Sequence, residues 1–174
     1  MKILITIIIA LNLFANYNTD TVEISKTGWY SSNNGKYGLD SIKNTTIKSN
    51  WNIIEILTLS IDCSRNNKLI PNLEYMININ DSTDFNKLKW WEKINGEVIV
   101  DLDNKAYSFK RVKEPFYQFH PFQTSDYKSF LKYLNNTKSL YAEVLIYGEN
   151  SKRKIDISVL NLKSQLNDLK QNCK

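Results

Sequence analysis

Residues able to do acid–base, nucleophilic or metal chemistry are few in this chain. It has a single histidine, His120, and two cysteines, Cys63 and Cys173. A zinc site needs several Cys, His or carboxylate ligands that converge, and this set cannot supply one. As a general base, His120 would need a nucleophile and an orienting partner, but no G-x-S-x-G turn is present. We therefore expect no catalytic residue, no metal and no cofactor, and a structural or surface role for His120.

The carboxylates and glycines offer no stronger candidate. Asp101 and Asp103 have the spacing of a possible glycosidase pair. In the strand register that the sequence favours, however, Asp101 faces Lys89 and Asp103 lies in a turn. With five glycines in the chain, no glycine-rich phosphate loop can be built. These patterns favour a protein that is not an enzyme.

The N-terminal residues read as a secretory signal peptide over 1–15. Lys2 is followed by an apolar run that ends at Phe14, and Ala15 is a small residue at a plausible cleavage point. The run is shorter than the roughly 20 residues of a membrane-spanning helix, although an uncleaved anchor is the alternative. We expect a periplasmic or secreted protein with no stable membrane anchor after cleavage.

Export permits disulfides, and both cysteines are predicted on apolar faces. A Cys63–Cys173 bridge would join the end of a strand to the end of the last helix. In the chain-entropy model, a disulfide that closes a loop of this length raises the free energy of unfolding by about 4–5 kcal/mol.

The charge of the chain argues against nucleic acid as a partner. The net charge of +5 comes mainly from lysine, and the basic residues are scattered. Nucleic-acid readout favours arginine forks, so a solvated surface is the simpler interpretation and a polyanion site the alternative.

The sequence predicts one α+β domain built on an antiparallel sheet. Residues 16–50 are polar and are expected to form an N-terminal arm with one or two short strands, followed by a single exported domain over 51–174. The stretch "LTLSIDC" alternates between apolar and polar residues, as does "NLEYMINI", which predicts an antiparallel pair around a turn at "SRNNK".

A three-stranded meander is predicted over 88–110. In the favoured register Gly96 is a bulge in a three-residue loop, and Trp90 opposes Val100. A two-residue turn at Asp103-Asn104 then starts the third strand. Three further pairs are predicted across these turns: Leu88 with Leu102, Val98 with Phe109, and Glu97 with Lys110.

Two helices and two further strand regions complete the prediction. One helix is expected at about 125–135, capped by Thr124 or Ser125, and the other at about 159–172. A hairpin is expected across Glu149-Asn150. The stretch "EPFYQFHPF" has a proline near each end, which is typical of an edge strand.

Two groups of apolar residues are candidates for binding. Trp91 and Ile99 fall on the charged face of the meander, where either the 16–50 arm covers them or they contact a partner. A second candidate is an aromatic groove, although a core position is the simpler interpretation for its residues. The groove residues would be Phe116, Tyr117, Phe119 and Phe122.

The order of elements carries a resemblance. It comprises the Trp29 segment, "LTLSIDC" ending in Cys63, "VIVDLD", the Phe130–Leu134 helix, "KIDIS" and the near-terminal Cys173. Together these features resemble the type VI secretion-associated periplasmic family called TagO or VasI. Asp62 and Asp101 stand where that family tends to carry arginine.

The resemblance implies a small exported accessory protein of a secretion apparatus, with no chemistry of its own. Its partner would be a protein in the cell envelope. The alternative function is an exported inhibitor or binding factor for a cell-wall hydrolase or another enzyme.

Overall fold

A computed structural model describes residues 22–24, 28–32, 40–50, 53–79, 94–112, 119–146 and 152–173. These ranges form ten strands and two helices, which confirms the predicted α+β class. The strands are β1 Val22–Ile24, β2 Tyr30–Ser32, β3 Ser41–Asn50, β4 Ile53–Cys63, β5 Leu69–Ile79, β6 Ile94–Leu102, β7 Lys105–Arg111, β8 Phe119–Gln123, β9 Leu140–Ile146 and β10 Lys152–Asp156. The helices are α1 Tyr127–Leu134 and α2 Leu162–Asn172.

The strands form one antiparallel sheet in the order β1-β3-β4-β5-β8-β7-β6-β9-β10, with β2 also paired to β3. The sheet curls until strands distant in this order meet. Thr46 Oγ1 of β3 donates a hydrogen bond to the carbonyl oxygen of Asp156 in β10, at 3.1 Å. One face of the sheet therefore encloses the core, and the other forms the outer surface.

The alternation predicted for β4 and β5 is confirmed. Leu57, Leu59 and Ile61 are buried on the inner face. Leu57 lies opposite Tyr75 and Leu59 opposite Leu73 in the neighbouring strand. Since directly opposite residues share a face, the two strands bury one continuous apolar surface.

The hairpin of β6 and β7 also forms as predicted. Val98 pairs with Phe109 and Glu97 with Lys110. The two turn residues, Asp103 and Asn104, have φ angles of 50° and 70°. Positive φ at both central positions belongs to the tight turn whose twist matches that of the flanking strands, and Asp and Asn tolerate it well.

The predicted pairing of 88–93 with the following strand is wrong. The other side of β6 is occupied by β9, so that Val100 lies opposite Ala142 and Asp101 opposite Tyr141. The alternation of apolar residues in β9 completes the apolar inner face of β6 as well as the 88–93 segment would. Trp90, Leu88 and Lys89 lie outside the described residues.

The predicted three-residue loop at Gly96 is wrong for the same reason. Gly96 lies within β6, and the ladder to β9 is irregular between Ile94 and Val98. An irregularity therefore falls near the predicted position, but it belongs to the pairing with β9.

The edge-strand prediction for 114–122 is wrong, because β8 lies between β5 and β7. Pro121 is tolerated there because of its orientation. Its carbonyl accepts a hydrogen bond from the Val112 N–H just beyond the end of β7. The N–H that proline lacks would point to the same side as this carbonyl, toward the end of β7. Its absence therefore removes no hydrogen bond from the ladder between β8 and β5.

The polar N-terminal segment contributes more sheet than one or two short strands. It supplies β1, β2 and the ten-residue β3, which pairs along its whole length with β4. Trp29, beside β2, is only 2% exposed and belongs to the core. The predicted signal peptide at 1–15 lies outside the described residues.

The helices cover one end of the enclosed core. Phe130 of α1 packs edge-on against Tyr107 and Phe109, with ring centroids 5.2 Å apart in both cases. The capping prediction is wrong: Asp126 is the N-cap residue of α1, and it makes no side-chain cap bond. Thr124 Oγ1 instead accepts a hydrogen bond from the Asp126 N–H, at 3.2 Å.

Helix α2 begins at Leu162, after Asn161 in the left-handed conformation. Leu162, Leu166 and Leu169 share one face of the helix and are buried. No helix in the described ranges is long and apolar enough to span a membrane.

Candidate binding surface

The predicted disulfide is confirmed. Cys63 and Cys173 are bonded, with their Cα atoms 5.6 Å apart. The bridge joins the last residue of β4 to the residue that follows α2, and so fixes the C-terminal helix on the sheet.

The aromatic groove residues are only partly described. Phe116 and Tyr117 lie outside the described residues, and for Phe119 only the backbone within β8 is described. Trp91, the predicted companion of Ile99, also lies outside the described residues. Phe122 is fully buried and faces the core, so it is not available to a surface ligand.

Ile99 lies on the outer face of β6. The flanking Val98 and Val100 point inward and are fully buried, while Ile99 is half-buried. Its direct cross-strand neighbours are Ser108 of β7 and Glu143 of β9. A large aliphatic side chain is therefore surrounded by polar groups in the middle of a three-strand surface.

A surface groove of about 530 Å³ adjoins Ile99 where β7 and β8 separate and α1 begins. We call it the hairpin groove. Its volume falls in the range of ligand sites, roughly 300–1,000 Å³. The residues that line it are Glu97, Ser108, Lys110, Val112, Gln123, Thr124 and Ser125.

The side chains of the hairpin groove are held by a polar network. Ser108 Oγ donates a hydrogen bond to Glu97 Oε1. Gln123 Nε2 donates to Asn72 Oδ1, and Asn72 Nδ2 in turn donates to Asp62 Oδ2 at 2.7 Å. Asp62 is only 2% exposed, so this series of hydrogen bonds links the groove to a buried carboxylate.

Beyond Ile99, the outer face of β9 and β10 carries paired charges. Lys152 and Glu143 form an ion pair at 3.0 Å, and the Lys154 ammonium lies 3.7 Å from the centroid of the Tyr141 ring. Burial raises the pKa of Tyr141, and the carboxylates of Asp101 and Glu143 raise it further. The outer face next to Ile99 is thus polar and mixed in sign.

One cluster elsewhere has residue types that could do chemistry. Lys105 Nζ lies 3.3 Å from Ser129 Oγ, which is 3.1 Å from the Tyr107 hydroxyl. Burial works to lower the pKa of Lys105, but hydrogen bonds with Tyr107 and Tyr133 outweigh it and the pKa is raised. A Ser–Lys dyad needs a neutral lysine as its base, and a raised Lys105 pKa works against that.

Metal ligands do not converge in the described ranges, where no group of three or more His, Cys, Asp or Glu side chains could hold an ion. Comparisons of the chain with protein-family models, curated proteins and solved structures find no match.

Sequence reasoning placed Ile99 on the polar face of its strand, as the structure does, but missed the hairpin groove beside it. The groove residues come from β6, from β7 and the residue after it, and from the β8–α1 junction, and all except Val112 are polar types that are common on any surface. No motif marks them, because the groove exists only where two strands separate in space.

Proposed function

We propose that the protein is a non-enzymatic exported accessory protein that binds a protein partner in the cell envelope. The contact surface is the outer face of β6 around Ile99, together with the hairpin groove. The observation that carries this proposal is the half-buried Ile99 within a polar face, beside a groove whose side chains are held in place.

Such a surface suits recognition. Specific interfaces combine a small apolar centre with a polar rim, and their binding energy concentrates in a few central residues. Ile99 would supply the centre, while Glu143, Lys110 and Ser108 would supply parts of the rim. The strand that carries Ile99 is paired with β7 on one side and β9 on the other, so little conformational entropy is lost on binding.

Export is supported by the Cys63–Cys173 disulfide, since such bonds persist in oxidising compartments. The resemblance to the type VI secretion-associated family favours a partner from a secretion apparatus. We therefore place the protein in the periplasm as an accessory factor of such an apparatus.

Site-specific photo-crosslinking in cells tests the contact. A photoreactive amino acid at Ile99 is compared with one at Glu74, which is exposed on the outer face of β5. We expect a discrete cross-linked species from position 99 and none from position 74. Equal cross-linking at both positions, or none at either, would overturn the proposed surface.

The identity of the cross-linked partner tests the assignment to a secretion apparatus. Mass spectrometry of the species should identify an envelope component of that apparatus. Recovery of a cell-wall hydrolase alone would overturn the assignment and support the inhibitor function, while leaving the Ile99 surface intact.

A further inference from the structure

The pairing of β7 with its neighbours fixes the direction in which its backbone N–H and C=O groups point beside the hairpin groove. The Val112 N–H donates to the Pro121 carbonyl in β8, and Lys110 lies opposite Gln123. Backbone polar groups alternate in direction along a strand, so those of Val112, Lys110 and Ser108 all point toward the β8 side.

The ladder to β8 stops before Ser108. Its described pairs are Lys110 with Gln123 and Arg111 with Phe122, after which the chain passes through Thr124 and Ser125 into α1. The main-chain N–H and C=O of Ser108 therefore face the hairpin groove, and no described strand pairs with them there. Unpaired strand edges are the groups to which an extended peptide adds by backbone hydrogen bonds.

We propose that the hairpin groove binds an extended segment of the partner protein, which pairs with the main chain of Ser108 and places a carboxylate side chain against Lys110. This inference rests on the proposed function and specifies the chemistry of the partner. The segment would lie between β7 and the start of α1, with Ile99 on the adjoining strand available to an apolar side chain.

The preference for an acidic segment follows from the two charges of the groove. Glu97 and Lys110 lie directly opposite each other. The Glu97 carboxylate accepts the hydroxyl hydrogen of Ser108, whereas Lys110 is exposed and forms no ion pair within the described residues. Lys110 is thus the charge that is open to a partner, and opposite charge across an interface promotes association and fixes register.

Amide hydrogen exchange of the free protein tests the structural premise. The Phe109 N–H points toward β6 and is in the ladder, whereas the Ser108 N–H points into the groove. We expect the Ser108 amide to exchange at least about tenfold faster than that of Phe109, because strand ladders protect amides and open edges do not. Equal protection of the two amides would overturn the proposal.

Binding is tested by selecting from a library of random linear peptides displayed on phage, with the intact domain as the target. We expect enrichment of peptides that contain an acidic residue, and protection of the Ser108 amide when a selected peptide is added. Failure to enrich any peptide, or selected peptides that leave Ser108 exchange unchanged, would overturn the proposal.

Two matched substitutions isolate the main-chain contact. Ser108→Pro removes the N–H that faces the groove and should weaken peptide binding at least about tenfold. Ser108→Thr keeps both this N–H and a hydroxyl that can donate to Glu97, so it should retain binding. Lys110→Gln should weaken binding about two- to tenfold and reduce its salt dependence. If Ser108→Pro fails to fold, the exchange of the Ser108 amide in wild-type protein decides the question.

The photo-crosslinking at Ile99 separates this inference from the proposed function. If the Ile99 cross-link persists in Ser108→Pro at the wild-type yield, the partner binds this face without an extended segment in the groove, and only the inference fails. Loss of the cross-link in Ser108→Pro, with retention in Ser108→Thr, supports both.

Discussion

The indole Nε1 of Trp29 donates a hydrogen bond to the carbonyl oxygen of Ser158, 2.9 Å away and 129 residues later in the chain. Asn44 Nδ2 donates to the same oxygen at 3.3 Å, and the Trp29 N–H donates to the Leu160 carbonyl at 2.8 Å. These bonds tie the N-terminal strands to the segment after β10. They join the two ends of the curled sheet through side chains and through one main-chain bond outside the strand ladders.

Trp29→Phe tests this closure. The substitution keeps a buried aromatic ring but removes the donor to Ser158, and we expect a loss of about 1–2 kcal/mol in the free energy of unfolding. Urea denaturation followed by circular dichroism measures it. The control Tyr30→Phe changes an exposed neighbour and should be neutral. A Trp29→Phe variant as stable as the wild type would mean that the bond contributes nothing net.

Gly28→Ala tests the close approach of the same two segments. A Cβ at position 28 would lie 2.8 Å from the Leu160 carbonyl oxygen, so one of two backbone segments would have to move. We expect destabilisation of about 1–3 kcal/mol, as for other overpacked contacts. At Gly96 a Cβ would meet nothing within 4 Å, so Gly96→Ala is the matched control. Similar thermal midpoints for the two variants would contradict the tight contact.

Removal of the disulfide tests how much the Cys63–Cys173 bond contributes. Its two cysteines are separated by 110 positions, so the bridge restricts a large part of the unfolded chain. The double variant Cys63→Ala, Cys173→Ala should lose up to about 4–5 kcal/mol, since the chain-entropy value is often not fully realised. A reductant should destabilise the wild type and leave the double variant unchanged. A reductant effect on the double variant would show that the loss arises elsewhere.

Acid should weaken the turn that joins β6 and β7. The Asp103 carboxylate accepts hydrogen bonds from the backbone N–H groups of Lys138 and Ser139, at 2.7–3.1 Å, and these hold its pKa below 3.8. A lowered pKa in the folded state stabilises above the unfolded-state pKa, and this contribution is lost as pH falls through the folded value.

The measurement for this prediction is the pH dependence of unfolding in wild type and Asp103→Asn. Asparagine tolerates the positive φ of this turn, so the variant removes the charge without straining the backbone. We expect the wild type to be more stable at neutral pH and the difference to shrink below about pH 4. An NMR titration in which the Asp103 carboxyl group has a pKa above the ordinary value of an aspartate would contradict the proposed lowering by its hydrogen bonds.

Local patterns predicted the parts of the fold that depend on near neighbours. Alternation over 57–63 identified the inward-facing residues, because successive side chains on a strand point to opposite faces. The Asp103-Asn104 turn identified the register of β6 with β7, because a two-residue turn leaves one choice of pairing. The disulfide was predicted from the expectation of export and from the placement of both cysteines on apolar faces.

The neighbours of β6 and β8 could not be predicted in the same way. Any strand with the right alternation can complete the inner face of β6, and β9 does so although the 88–93 segment is closer in sequence. Pro121 suggested an edge strand because proline lacks a donor. Its position opposite the end of β7 was needed to show that no ladder bond is lost.

The polar N-terminal segment shows most clearly what distant contacts add. Asn44 and Thr46 point inward from β3 and are each 1% exposed. Buried polar side chains are costly unless they are hydrogen-bonded, and their partners here are carbonyl groups more than 100 residues away, in Ser158 and Asp156. Because its composition is polar, sequence reasoning assigned this core strand to an N-terminal arm.

The sequence by itself determined the α+β class, the inward faces of β4 and β5, the β6–β7 turn and the cysteine pairing, because alternation, turn chemistry and side-chain polarity act over a few residues. Only the tertiary structure decided the strand order, the burial of Trp29 and the hairpin groove beside Ile99. Each of these depends on which distant backbone donor or acceptor comes within hydrogen-bonding range, and local spacing does not encode that choice.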